Sequence, residues 1–195
     1  MKKLFLSSLI LGITSVLAIG STTAYFSDTE ISSANTFTAG TLDLTVDGGD
    51  VDIVKFNINN MRPGNQPKGT YTLKNVGTVP GNLSLSSITI TNTENNWTEP
   101  EQNAGDSSST LGELSQVVNL RIFLDLNGDG WISTGDPVVF NNKISNLPVS
   151  LDLGKTLMAN EEVKVVFLFD WWNTTIDNQA QDDSMVLDLE FTLQQ

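Results

Sequence analysis

Between Asp125 and Asp136 the chain reads Asp-Leu-Asn-Gly-Asp-Gly-Trp-Ile-Ser-Thr-Gly-Asp, so oxygen side chains fall at loop positions 1, 3, 5, 9 and 12, with Gly130 at position 6. This is the spacing of a calcium loop, in which side-chain oxygens converge on one hard cation and the central glycine permits a sharp turn. The expected ligands are Asp125, Asn127, Asp129, the Trp131 carbonyl, Ser133 directly or through water, and Asp136 as the closing group. An EF-hand closes with a glutamate long enough to bind through both oxygens; Asp136 is shorter, which predicts weaker affinity or another closing geometry. The competing reading is a metal-free hairpin turn, because Asn-Gly and Asp-Gly are also the favoured turn dipeptides. Acids at both ends of the loop favour Ca2+. Asp177, Asp182 and Asp183 form a weaker candidate for a second cation site, on a loop that also reads as an ordinary solvated acidic segment.

The segments that must position this loop are strands, not the paired helices of an EF-hand: Asn119 to Leu124 before it and Val138 to Asn141 after it. Period-2 alternation recurs nearly throughout, first at Leu42, Leu44 and Val46, and most cleanly at Val163, Val165, Phe167, Phe169, Trp171 and at Met185, Leu187, Leu189, Phe191, Leu193. The register slips between Ile53 and Val54 and again between Leu85 and Ile88, which predicts bulges or sheet-switching bends. One short helix is expected where Thr110 and Glu113 pair as a capping box ahead of Leu114 and Val118. Residues from about 93 to 112 read as a polar loop insertion. The expected fold is all-β: a two-sheet β-sandwich of jelly-roll type over residues 41–195, with one short helix.

Lys2 and Lys3 precede an apolar run from Leu4 to Gly20 and the small residues Ser21 to Ala24, which is the order of a secretory signal peptide and its helix. Residues 1–24 are the expected signal, with cleavage between Ala24 and Tyr25. Cleavage removes those two lysines and no acid, so the formal charge moves from −13 to −15. Such a surface repels nucleic acid and anionic lipid, leaving membrane contact to the signal peptide before cleavage. The chain has no histidine and no cysteine, which removes disulfides, thiolate chemistry, the usual zinc ligands and the usual general base together. An enzyme is therefore not expected. Trp171 continues a core alternation and is expected to pack; Trp172 and Trp131 could face a sugar.

Four short stretches, in order, carry a more specific signal: Ala24-Tyr25-Phe26-Ser27-Asp28, then Asn35 to Leu44, then Met61-Arg62-Pro63-Gly64, then Leu73-Lys74-Asn75-Val76-Gly77-Thr78. In this arrangement the chain resembles the TasA/camelysin family of exported proteins over about residues 1–85. The resemblance implies processing by a dedicated ER-type signal peptidase. It also implies a subunit, secreted or on the cell surface, that polymerises with itself head to tail into biofilm-matrix or extracellular fibres. In that scheme residues 25–40 form a donor strand, with Tyr25, Phe26, Ile31 and Phe37 as the apolar side chains that fill a neighbour. Calcium would stabilise the subunit. The same family carries the rival reading of a cell-surface metallo-endopeptidase, which the absent histidine opposes. A monomeric calcium-dependent adhesin or carbohydrate-binding module is the third reading. The exported protein is expected to begin at Tyr25; N-terminal sequencing that finds Met1 or a start beyond Thr38 would remove the donor segment from the scheme.

Overall fold

The computed structural model describes residues 40–50, 53–172 and 177–195. Among the described residues nine strands form two antiparallel sheets: β1 (Leu44–Val46), β2 (Ile53–Ile58), β3 (Lys68–Asn75), β4 (Gly81–Thr93), β5 (Asn119–Asp125), β6 (Val138–Lys143), β7 (Leu151–Leu157), β8 (Glu162–Asp170) and β9 (Ser184–Gln194). One sheet has the order β1-β3-β8-β5-β6 and the other β2-β9-β4-β7. Seven of the eight connections between successive strands cross from one sheet to the other, as in a jelly roll. The exception is the β5–β6 hairpin, whose loop is the calcium-like segment.

The alternating side chains face each other across the two sheets. Met185, Leu187, Leu189 and Phe191 of β9 are buried, as are Leu83, Leu85 and Ile88 of β4. A cluster of rings joins the layers: Phe56 and Phe191 from one sheet, Tyr71, Phe167 and Phe169 from the other, with Phe56 to Phe167 at 5.0 Å and Phe167 to Phe191 at 6.2 Å between centroids. Offset and edge-on ring pairs of this kind add to the burial of their large apolar area. Trp171 is buried as its alternation requires, whereas Trp131 and Trp172 are exposed.

The two register slips differ in kind. The first falls just after the chain has crossed from β1 to the other sheet: Ile53 and Val54 both lie in β2, whose pairing with β9 runs unbroken there. The second is a bulge in the β4–β9 pairing between Ser86 and Thr89, with Ser87 at φ 51°.

The helix expectation needs correction. The Thr110–Glu113 pair caps nothing: the helix there, α2 (Leu114–Val117), has Glu113 at its N-cap without a side-chain hydrogen bond. A second helix, α1 (Glu99–Asn103), lies inside the segment read as a bare loop, and there the Thr98 N–H donates to Glu101 Oε2 at 2.5 Å. Glu-Pro-Glu-Gln-Asn has no apolar face, so periodicity gives no sign of it.

At the far end of the sandwich the buried Asn75 ends β3. Its amide donates to Val79 O (2.8 Å) and Leu157 O (3.1 Å), and its Oδ1 accepts from the Gly77 N–H (3.0 Å). Its backbone also exchanges bonds with Glu161 O and the Asn160 N–H. A Cβ on Gly77 would lie 2.3 Å from Thr41 O, so that turn admits only glycine without a backbone shift. Two of the four stretches behind the family resemblance meet here. Replacing Asn75 by Ala removes three hydrogen bonds at this turn, two of them buried, although the Gly77 N–H keeps Asp43 O at 3.3 Å; we expect a loss of about 2–4 kcal/mol in urea unfolding, and a loss under about 0.5 kcal/mol, the level of an ordinary surface change, would show that the amide fastens nothing.

A candidate metal centre of five carboxylates

The β5–β6 loop folds back over the outer face of its own sheet. Lys68, Leu168 and Arg121 form one cross-strand row, and the Lys68 ammonium donates to Gly130 O at 2.8 Å while sitting 4.1 Å from the Trp131 ring centroid. Asp125 is only 4 % exposed and accepts from the Gly128 N–H (2.7 Å) and the Gly130 N–H (2.9 Å). Asp129 accepts from the Trp131 N–H and from the Asn127 amide, which also reaches Ser133 Oγ. Asp136 accepts from the Leu126 N–H, the Ser133 N–H and the Ser133 hydroxyl, and these bonds hold its pKa below the ordinary value. Gly130 takes φ 74°, as the sharp turn requires. Every carboxylate oxygen of the loop thus already has a donor, and all but Asp136 Oδ2, which accepts two, keep a second lone pair for an ion.

A different set of acids lies at one end of the sandwich, where β4 stops and β9 begins. Glu94 follows β4, Glu101 is in α1, Asp106 and Glu113 lie in the connection onward to α2, and Asp183 immediately precedes β9. Oxygens of Glu94, Asp106 and Glu113 lie within 4.8 Å of one another, as do those of Glu94, Glu101 and Asp183. Glu101 is 0 %, Asp183 3 % and Asp106 8 % exposed. Among the described residues, every buried side-chain oxygen without a hydrogen-bond partner belongs here: both of Glu94, and one each of Thr98, Glu101, Asp106, Glu113 and Asp183. No Lys or Arg occurs between Lys74 and Arg121, or after Lys164.

Local bonds set this geometry. The Glu113 N–H donates to Asp183 Oδ2 at 2.6 Å, the Asn95 amide to Asp182 O at 2.6 Å, and the Gln179 amide to Ala104 O at 2.8 Å. Gly112 packs so closely that a Cβ would meet Thr93 O at 2.8 Å. Burial first, and then the neighbouring charges, raise the pKa of Glu94 to about 7, with Asp183, Glu101 and Asp106 facing it. Burial likewise lifts Glu113 to about 7, aided by Asp106, Glu94 and Glu101. Asp183 rises to about 6 through burial and the charges of Glu113 and Glu101, against the opposing pull of the Glu113 N–H.

Of the acids that the sequence offers for a second cation site, Asp183 joins this centre. Asp182 instead accepts from the Asn96 amide at the surface, and Asp177 opens the 3-10 turn Asp177–Ala180. Sequence reasoning misses Glu94, Glu101, Asp106 and Glu113; acids spread through a stretch free of bases are the one available sign. The expected cleavage site at Ala24 and Tyr25, and the donor residues Tyr25, Phe26, Ile31 and Phe37, lie outside the described residues.

Fold and site together define an acidic jelly-roll sandwich with a carboxylate centre closed beneath its surface loops. The sequence model of the camelysin metallo-endopeptidase family matches residues 2–195, and the chain belongs to that family, whose members are associated with the cell surface. The match runs well beyond the N-terminal stretches that carry the resemblance. A comparison with curated proteins finds no match. The family description implies a metal, and the carboxylates offer oxygen ligands for one. A histidine-ligated peptidase zinc does not fit this chain, which has no histidine or cysteine to hold it.

The raised pKa values carry a sign. A carboxyl that binds its proton more tightly when folded costs stability as pH climbs from the ordinary carboxylate range through its folded value. In chelator, the melting temperature should therefore fall between about pH 5 and pH 8. Asp136 and Glu161, whose pKa values are lowered, act in the opposite sense but lose their contribution only at more acid pH. A chelated protein that melts higher at the alkaline end would contradict the charge crowding described for this centre.

Proposed function

We propose that the protein is an exported structural subunit that assembles head to tail at the cell surface by strand addition, the N-terminal segment of one copy entering the sandwich of the next. The observation that carries this reading is an open edge. β1 pairs with β3 only at Leu73, Lys74 and Asn75, while β8 pairs with β3 from Lys68 to Lys74, so among the described strands Lys68 to Thr72 have a neighbour on one side only. On the side away from β8, Thr72 is already engaged, its N–H donating to Asp47 Oδ1 at 2.7 Å and its C=O accepting from the Asp47 N–H at 2.8 Å, so the edge left open is that of Lys68 to Tyr71. By the two-residue period, the N–H and C=O of Thr70 and Lys68 point the same way.

Beside that edge, between β2 and the start of β3, is a groove of about 520 Å³ with Phe56, Ile58, Met61 and Phe169 among its lining residues. An unpaired strand edge next to an apolar slot supplies both requirements of β-augmentation: backbone partners for affinity and pockets for alternate side chains. Tyr25, Phe26, Ile31 and Phe37 supply the matching apolar residues, and a head-to-tail contact that does not close on itself yields a filament. Calcium at the β5–β6 loop would brace this face, because Lys68 belongs both to the groove and to the loop's anchorage.

The family description favours metallo-endopeptidase activity as the second reading. That chemistry needs a metal-bound water open to a peptide. The carboxylates available here include Glu101 and Asp183, both closed from solvent, which supports the structural reading over it. Chelator-sensitive cleavage of casein by a preparation free of other proteases would reverse that order.

Two variants test the assembly. A chain lacking residues 25–38 should stay folded and form no fibres in negative-stain images. Thr70→Pro removes only an N–H directed away from β8, so it should fold and yet assemble far less than the parent. Fibres from the truncated chain at the parent's yield would defeat strand addition.

A further inference from the structure

We propose that Glu94, Glu101, Asp106, Glu113 and Asp183 bind calcium, and that the ion clasps the β4–β5 connection to the start of β9. Elsewhere in the molecule a buried carboxylate is supplied with donors: Asp170, 1 % exposed, takes the Arg121 guanidinium and the Gln66 amide, and Asp125 takes two N–H groups. The five acids lack that supply. Glu101, Asp106 and Asp183 are each more than nine-tenths buried and each keeps an oxygen with no hydrogen-bond partner; Glu101 and Asp183 converge with Glu94 in one group, and Asp106 with Glu94 and Glu113 in an adjoining one that shares Glu94. Leaving ionised oxygens buried and unpaired is among the costlier arrangements a fold can hold. Something positive must compensate it, and among the described residues no Lys or Arg forms an ion pair with any of the five.

Two positive species could serve: protons shared between acids, as Glu94 and Asp183 are placed to do, or a cation. The donor set speaks to the cation's identity. It is all oxygen, five carboxylates in two groups that share Glu94. Calcium takes about six to eight oxygens in flexible geometry, whereas Mg2+ demands a near-octahedral shell and keeps much of its water. Zinc and the later transition metals prefer nitrogen and sulfur. Glu94 belongs to both groups of converging oxygens and has both its oxygens unpartnered, so it is the residue on which binding depends most.

The clasp would act on segments also held by side-chain amide bonds, the exposed Asn95 to Asp182 and the partly buried Gln179 to Ala104 among them. Trp97 lies between Glu94 and Glu101 and is half-exposed, which places a fluorescent reporter on the clasp itself.

The test uses the exported, processed protein at about pH 8, where the acids are mostly ionised. Millimolar calcium should raise the melting temperature over the chelated protein by at least ~5 °C, with a change in tryptophan emission, and Mg2+ should do much less. Glu94→Gln should have crossed effects: a higher melting temperature in chelator, since it removes one crowded charge, and loss of most of the calcium increment. Asp106→Asn provides the same pair of measurements should Glu94→Gln fail to fold. The double variant Asp125→Asn, Asp129→Asn, in the β5–β6 loop, should keep the calcium increment. No calcium response in the parent would mean that protons alone compensate the cluster, and the proposal would fall. It would fall equally if zinc but not calcium stabilised the protein, or if the loop variant lost the increment while Glu94→Gln kept it.

Discussion

A sandwich whose chain crosses between sheets at seven of eight connections has to tie down its ends, and this chain has no cysteine with which to do so. Each crossing brings together segments distant in sequence, so the entropy of closing those loops opposes folding until specific contacts are made. The two ends solve the problem by opposite chemistry. Near the start of β4 a single neutral amide, Asn75, gathers the turn before β4 and the end of β7, with its hydrogen bonds met by partners. Where β4 ends, the gathering groups are carboxylates, and their buried oxygens are unmet. The first end is complete as built from the chain alone. The second becomes complete only with added positive charge.

That asymmetry explains what could be read from sequence. β8 and β9 are legible because burial on one face of a strand imposes a two-residue period that survives any tertiary context. The Ser86–Thr89 bulge is legible for the same reason: it shifts the period by one residue and so leaves a visible break. The β5–β6 loop could be read because its ligand-like residues are consecutive. The carboxylate centre could not, since its acids come from the end of a strand, a short helix, two points in a connection and the far side of another crossing. No fixed spacing describes such a set.

The misplaced capping box has a related cause. Thr98-x-x-Glu101 and Thr110-x-x-Glu113 satisfy the same local pattern, and local pattern cannot choose between them. The apolar residues around and after Glu113 favour the Thr110 pair on pattern alone. In the fold Leu111 is exposed, and Leu114 packs from a single short turn instead. Glu101 is the effective cap of its own helix, with Oε2 on the Thr98 N–H and Oε1 turned toward the other acids. One side chain thereby serves a local need and a distant one. Sequence patterns record only the first.

The open edge and the β5–β6 loop are physically continuous through Lys68. Its backbone lies on the unpaired stretch of β3, while its ammonium holds Gly130 O and faces Trp131. A strand arriving along this edge would bury part of that side chain and strengthen its attraction to the carbonyl and the ring, since both grow as water is excluded. Conversely, a loop left loose would give the lysine freedom to swing across the groove. Order in the loop and occupancy of the edge should therefore favour one another, and the coupling would be reciprocal because it is a free energy shared between two sites. On this view the hairpin that departs from the crossover pattern is the element that links the two faces of assembly: the ion-like turn above the sheet and the strand edge beside it.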